Sequence, residues 1–142
     1  MIVRIGVSAV SIARMATLLE RRGPEVRAKC FSPAEQAACD ERAAPAQHYA
    51  ARLAAKRAFK KALGSCRQVP LRDVQIGSDT RGAPILGIVG RAAVAASARG
   101  VTSNHVSLTH ADGVAVALVV LESPARSARG CRMACREPRR AT

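Results

Sequence analysis

Residues 51–64 read ARLAAKRAFKKALG, and the way this helix faces its surroundings decides the fold. Ala51, Ala55, Ala58, Phe59 and Ala62 recur at helical spacing, the expected core stripe of a helix from about 46 to 63 that stops at Gly64. Arg52, Lys56, Arg57, Lys60 and Lys61 spread over the opposite arc, with Tyr49 and Leu53 among them. No acid lies at i±4 to any of them, so neighbouring cations repel by roughly a few tenths of a kcal/mol per pair. Two readings stay open on pattern alone: a solvated basic face, or a face that meets an anion.

Working outward from this helix, the pattern predicts strands and helices in alternation. IVRIGV (2–7) reads as a short buried strand, and Ser11 as the cap of a helix over 12–22 that GPE (23–25) breaks. Ser32, Pro33 and Glu35 supply a cap, a first-turn proline and a first-turn acid for a helix near 33–43. Val69–Ile76 and Pro84–Val89 read as strands around the turn-rich GSDTRGA, and 91–99 as a short helix ended by Gly100. HVSLTH (105–110) and VAVALVVL (114–121) form a hairpin through Asp112-Gly113.

At 142 residues the chain fits one domain, here 1–122, followed by an Arg-, Ser- and Pro-rich tail (123–142) expected to be disordered. Apolar residues make up 49%, but there is no Trp, one Tyr and two Phe, so subunit association is expected to supply part of the burial. The net charge is +13, of which the body carries +8 (seventeen Lys and Arg against nine acids). Such a surface calls for an acidic partner: nucleic acid, an anionic membrane, an acidic protein or a phosphate-rich ligand. Three aromatics make a poor stacking platform for bases, which argues against nucleic acid. No apolar run approaches the ~20 residues that span a bilayer. The five Cys are odd in number and lack zinc spacing, which fits free thiols in a reducing cytoplasm.

Five segments in order resemble the holo-acyl-carrier-protein synthase family, the short phosphopantetheinyl transferases. Gly6, Val7, Val10, Ile12 and Arg14 are similar to its opening; FSPAEQAAC (31–39) to its F-[ST]-P-x-E-x-x-x-C segment; ARLAAKRAFKKALG to its A-R-F-A-A-K-E-A-x-x-K-A-L-G helix. DVQI…GAPIL (73–86) and HVSLTHADGVAVALVVLE (105–122) resemble its strand–turn–strand and closing hairpin. The resemblance implies an α+β fold with three helices on a small antiparallel sheet, a homotrimer with sites at subunit interfaces. It also implies transfer of the 4′-phosphopantetheine arm of coenzyme A to a Ser of an acidic acyl carrier protein, with Mg²⁺ on the pyrophosphate. Arg14, with the neighbouring Arg21 and Arg22, is then expected to meet the carrier protein, and Lys56, Lys61, His105, Ser107 and His110 to line the coenzyme A site. For His105, Ser107 and His110, residual hairpin packing is the alternative; Cys39 falls on a position that looks structural.

The departures fall where the chemistry is. The family's Gly-x-Asp metal ligand is Ser8, its helix Glu ligand is Arg57, and Gln47 stands where many members have Glu. Mg²⁺ takes hard oxygen ligands, so no metal site is expected here. Ser8, Arg57, Lys61 and His110 remain the candidates for whatever chemistry the cleft performs. Three functions follow as expectations. One is a retired or repurposed transferase that docks on an acyl carrier protein and regulates, or acts on, carrier-tethered acyl or polyketide chains. The second is an active transferase with an unusual metal site; the third is a basic nucleic-acid binder.

Overall fold

The structure, a computed structural model, describes residues 1–64 and 67–124. The expected basic tail, from residue 125 on, therefore lies outside the described residues. Strand β1 (Ile2–Ser11) runs past the IVRIGV stretch and feeds helix α1 (Ile12–Cys30), whose Ser11 cap accepts from the Arg14 N–H at 3.2 Å. The GPE stretch does not end this helix. The backbone leaves helical geometry only at Arg22 (φ −138°, ψ 32°) and the helix then resumes through Pro24. A proline near the start of a resumed segment gives up an N–H that has no partner there in any case.

Helix α2 (Pro33–Asp40) opens with the reciprocal capping box that Ser32 and Glu35 announce. Helix α3 (Pro45–Ala62) begins on a first-turn proline and ends at Leu63, with Gly64 at φ +90° turning the chain. A 3-10 turn over Leu71–Asp73 precedes strand β2 (Val74–Ser78), which pairs antiparallel with β3 (Pro84–Ile88). The strand expected from Val69 thus starts only at Val74: Pro70 has no N–H to give, and the carbonyls of Leu71 and Val74 are taken by a buried lysine described below. Helix α4 (Gly90–Ala98) follows, then β4 (Ser103–Ala111) and β5 (Val114–Glu122). Asp112 (φ 51°) and Gly113 (φ 75°) both adopt positive φ, the two-residue hairpin turn their sequence predicts.

The main sheet is antiparallel in the order β1-β5-β4, so β1 and β4 form opposite edges. Gly6, Ser8 and Val10 on β1 and Ala115, Ala117, Val119 and Leu121 on β5 face α3 and are buried. A chain poor in aromatics builds this core by close approach instead of bulk. A Cβ at Gly6 would lie 2.0 Å from the Ala58 carbonyl oxygen and 2.9 Å from the Ala62 nitrogen, so strand and helix meet backbone to backbone. Ala54, Ala55, Ala58 and Ala62, all 1% exposed or less, make that contact possible. The other face of the sheet is apolar and open: Ile5 is 58% exposed, Val7 51% and Leu118 39%.

Gly6→Ala is expected to destabilise the fold by more than about 3 kcal/mol, the upper end of usual overpacking costs, because the clash is with backbone that cannot turn aside. Urea unfolding monitored by circular dichroism measures this; a midpoint unchanged from the wild type would contradict the close-approach account.

Candidate functional site

Helix α3 is buried on nearly every side, not along one stripe. Tyr49 and Leu53, expected among the cations, are 0% and 5% exposed. Lys56 is the largest correction. Expected to line a coenzyme A site, it is fully buried, and its ammonium donates to Glu35 Oε2 at 2.8 Å and to the carbonyls of Leu71 and Val74. All three protons are used, so Lys56 reaches no ligand in this chain. Glu35 is equally committed, accepting from the Ser32 N–H at 2.8 Å and the Ile76 N–H at 3.0 Å. Burial pulls the Lys56 pKa below the usual lysine value, and Glu35 opposes that shift. The helical wheel could not show this, because α2 and β2 cover the Lys56 side of α3 from distant parts of the chain.

Towards its C-terminal end α3 turns three further cations outward, with Arg57 and Lys61 exposed and Lys60 half-buried. Arg57, Lys60 and Lys61 stand at i, i+3 and i+4, which places them on one face. With Ser8 from β1, Arg67 and Leu71 they line a cleft of about 500 Å³. Ser8 is 6% exposed and forms part of the wall. Lys61 Nζ donates to the Val7 carbonyl at 3.1 Å, covering an acceptor on the free edge of β1. The structure thus brings together three predicted residues, Ser8, Arg57 and Lys61. Sequence reasoning missed Lys60 and Arg67 as cleft residues, although the spacing of Lys60 from Arg57 carries the signal.

The other candidates lie elsewhere on the chain. His105, Ser107 and His110 sit on β4, the sheet edge opposite β1. His105 Nε2 is 2.9 Å from Glu122 Oε2, which also accepts from Ser103 Oγ at 2.7 Å; His105 and then Ser103 hold the Glu122 carboxyl below the usual range. His105 also borders a groove of about 330 Å³ with Ile85 and Asn104. Ser107 is exposed opposite Leu118. The Gln47 amide and His110 Nε2 are hydrogen-bonded at 2.9 Å, which ties β4 to the start of α3. Arg14 and Arg21 flank a separate groove of about 340 Å³ on α1 with Thr17 and Leu18, while Arg22 is exposed at the helix kink. Cys39 is buried, with its thiol pushed up to about 11 by that burial, which suits packing and not nucleophilic work.

Mg²⁺ does not fit this cleft. It binds through carboxylates, phosphates and water in near-octahedral order. The described wall offers one neutral hydroxyl, Ser8, and four fixed cations, Arg57, Lys60, Lys61 and Arg67. Among the described residues, no group of three His, Cys, Asp or Glu converges as a metal site anywhere.

An α+β chain with a central helix against an antiparallel sheet, and a cationic cleft where strand and helix meet, defines the class. The chain belongs to the 4′-phosphopantetheinyl transferase superfamily, whose family model matches residues 4–119. It is 46% identical to the holo-[acyl-carrier-protein] synthase of Anaeromyxobacter dehalogenans (strain 2CP-C) over 127 residues, 86% of this chain and 97% of that one. Its fold superposes on the crystal structure of the Neisseria meningitidis holo-[acyl-carrier-protein] synthase with a TM-score of 0.79 at 27% identity, covering 87% of this chain and 100% of that chain. The Helicobacter pylori enzyme, solved in complex with coenzyme A, gives 0.73 at 26% identity, covering 83% and 99%. No helix among the described residues is long and apolar enough to cross a membrane.

Lys56→Met is expected to cost about 3–5 kcal/mol, because it leaves the Glu35 carboxylate buried without its partner. Denaturant unfolding of the single variant measures that loss. A change below about 1 kcal/mol would mean that the pair holds nothing together.

Proposed function

We propose that this chain docks on an acyl carrier protein and holds the phosphate end of coenzyme A, or of a carrier-bound phosphopantetheine arm, in its cationic cleft. On this reading the Mg²⁺-dependent transfer is lost, and the protein acts on or regulates carrier-tethered acyl chains. One observation carries the proposal: there is a cleft between β1 and α3, and among the described residues its wall is Ser8 and Arg57 with three further cations and no carboxylate. Phosphoryl transfer rests on positioning and on charge stabilisation in flight, to which a metal ion contributes heavily. Fixed guanidinium and ammonium groups supply binding and orientation, but they do not reproduce a metal bridging two phosphate oxygens.

Docking has its own support. The α1 groove sets Arg14 and Arg21 around the partly exposed Leu18, a combination that suits an acidic helix with an apolar ridge. The body's net charge works in the same direction.

A homotrimer is part of the same proposal. The open apolar face of Ile5, Val7 and Leu118 asks for a cover. His105, Ser107 and His110 lie on the far sheet edge from the cleft, so they can complete a phosphate site only if they come from a neighbouring protomer. In such a site His105 and Ser107 offer hydrogen bonds to phosphate, and His110, held by Gln47, offers an acid–base group at the subunit boundary.

A second reading has one specific observation in its favour. An identity of 46% to a holo-[acyl-carrier-protein] synthase over most of both chains fits an active transferase with an altered site. Intact-protein mass spectrometry separates the two. An apo-carrier protein incubated with the full chain, coenzyme A and Mg²⁺ is expected to keep its mass, while an acyl-carrier changes mass or releases product. A phosphopantetheine-sized gain on the apo-carrier would overturn the first reading in favour of the second.

A further inference from the structure

The cleft has a charge pattern that selects its ligand. Arg57, Lys60 and Lys61 project from one face of α3, and Arg67 closes the wall beyond the helix end. Among the described residues none of these four is paired with a carboxylate: the ion pairs there are Arg27–Asp40, Lys56–Glu35 and His105–Glu122. Lys61 spends one donor on the Val7 carbonyl, which fixes its head over the β1 edge without neutralising it. Like charges so grouped destabilise one another, and an anion in the cleft relieves each of those repulsions at once. Along the described wall, a divalent cation entering the same space meets four positive charges and one hydroxyl.

We infer that the Ser8–Arg57 cleft is a metal-independent diphosphate-binding subsite, in which the Arg57 guanidinium takes two phosphate oxygens and Lys60, Lys61 and Arg67 neutralise the remaining charge. The inference rests on the proposed function and names the ligand chemistry of that site. A guanidinium presents paired N–H donors in a planar fork that matches phosphate oxygens two at a time, which an ammonium does not. Ser8, nearly buried in the wall, adds one hydroxyl donor. The volume of about 500 Å³ accepts a diphosphate with part of whatever it is attached to.

The chemistry has two sources, a coenzyme A-type diester or a free nucleoside diphosphate, and calorimetric titration of the full chain distinguishes them. The probes are dephospho-coenzyme A, ADP and 4′-phosphopantetheine, each titrated in EDTA and again in excess Mg²⁺. Binding of both diphosphates in EDTA is expected, equal to or tighter than in Mg²⁺, with the single phosphate of phosphopantetheine weaker. Tighter binding of dephospho-coenzyme A assigns the source to coenzyme A; equal affinity assigns it to the diphosphate alone. Arg57→Gln should lower diphosphate affinity about tenfold or more in EDTA, the usual effect of losing a charged hydrogen bond. Arg57 is exposed, so this variant keeps the fold, and its circular dichroism spectrum checks that.

Binding that requires Mg²⁺, or affinity untouched by Arg57→Gln, would overturn the inference. Carrier docking is read separately, by titrating the acyl carrier protein against the wild type and Arg14→Ala. Docking that persists while diphosphate binding fails sinks this inference alone; loss of both sinks the proposed function as well.

Discussion

The buried Lys56–Glu35 pair is the interaction on which the rest of this molecule depends. It joins four elements drawn from three separate stretches of the chain: the α2 cap through Ser32, α3 through Lys56 itself, and the adjoining 3-10 turn and β2 through Leu71, Val74 and Ile76. Two charges taken out of water at this depth are tolerable only when they are well partnered, and here Lys56 uses all three ammonium protons while both Glu35 oxygens accept. The geometric consequence reaches the surface. By tying down Leu71 it fixes the floor of the cleft, and by fixing the roll of α3 it turns Arg57, Lys60 and Lys61 towards Ser8.

The second constraint is the closeness of α3 to the sheet. Gly6 and the small residues Ala58 and Ala62 let the helix lie nearly on the backbone of β1, which explains how a chain with so little aromatic bulk forms a dry core. The same closeness brings the β1 side chain at position 8 beside the α3 side chain at position 57. A cleft made by two elements in backbone contact is rigid by construction, so a substitution in its wall changes its charge far more than its shape. Ser8 and Arg57 change the charge.

Much of this was legible in the chain. Ser11, the Ser32–Glu35 box, Gly64 and Asp112-Gly113 each announce an element boundary through local chemistry, and each sits where it says. The segment resemblance carried the α+β class and the cleft positions Ser8, Arg57 and Lys61. Gly23-Pro24 misled because a kink and a stop share one local signature until the next segment finds something to pack on. Lys56 misled for a deeper reason. Its partner lies 21 residues away and its other acceptors are main-chain carbonyls, which no residue pattern displays. The sheet-edge position of His105, Ser107 and His110 was likewise invisible, since strand order is not a property of any one segment.

The superfamily's fold is present, and the described wall of its cleft carries one hydroxyl and four cations; on the proposed function, family membership and metal chemistry come apart in this chain. The most direct measurement is Mg²⁺-dependent mass gain on an apo-carrier protein, compared between the wild type and the double variant Ser8→Asp, Arg57→Glu. The account predicts no Mg²⁺-dependent gain with the wild type and a measurable one once the two carboxylates are supplied. A wild type that transfers with Mg²⁺ as well as the double variant does would contradict it.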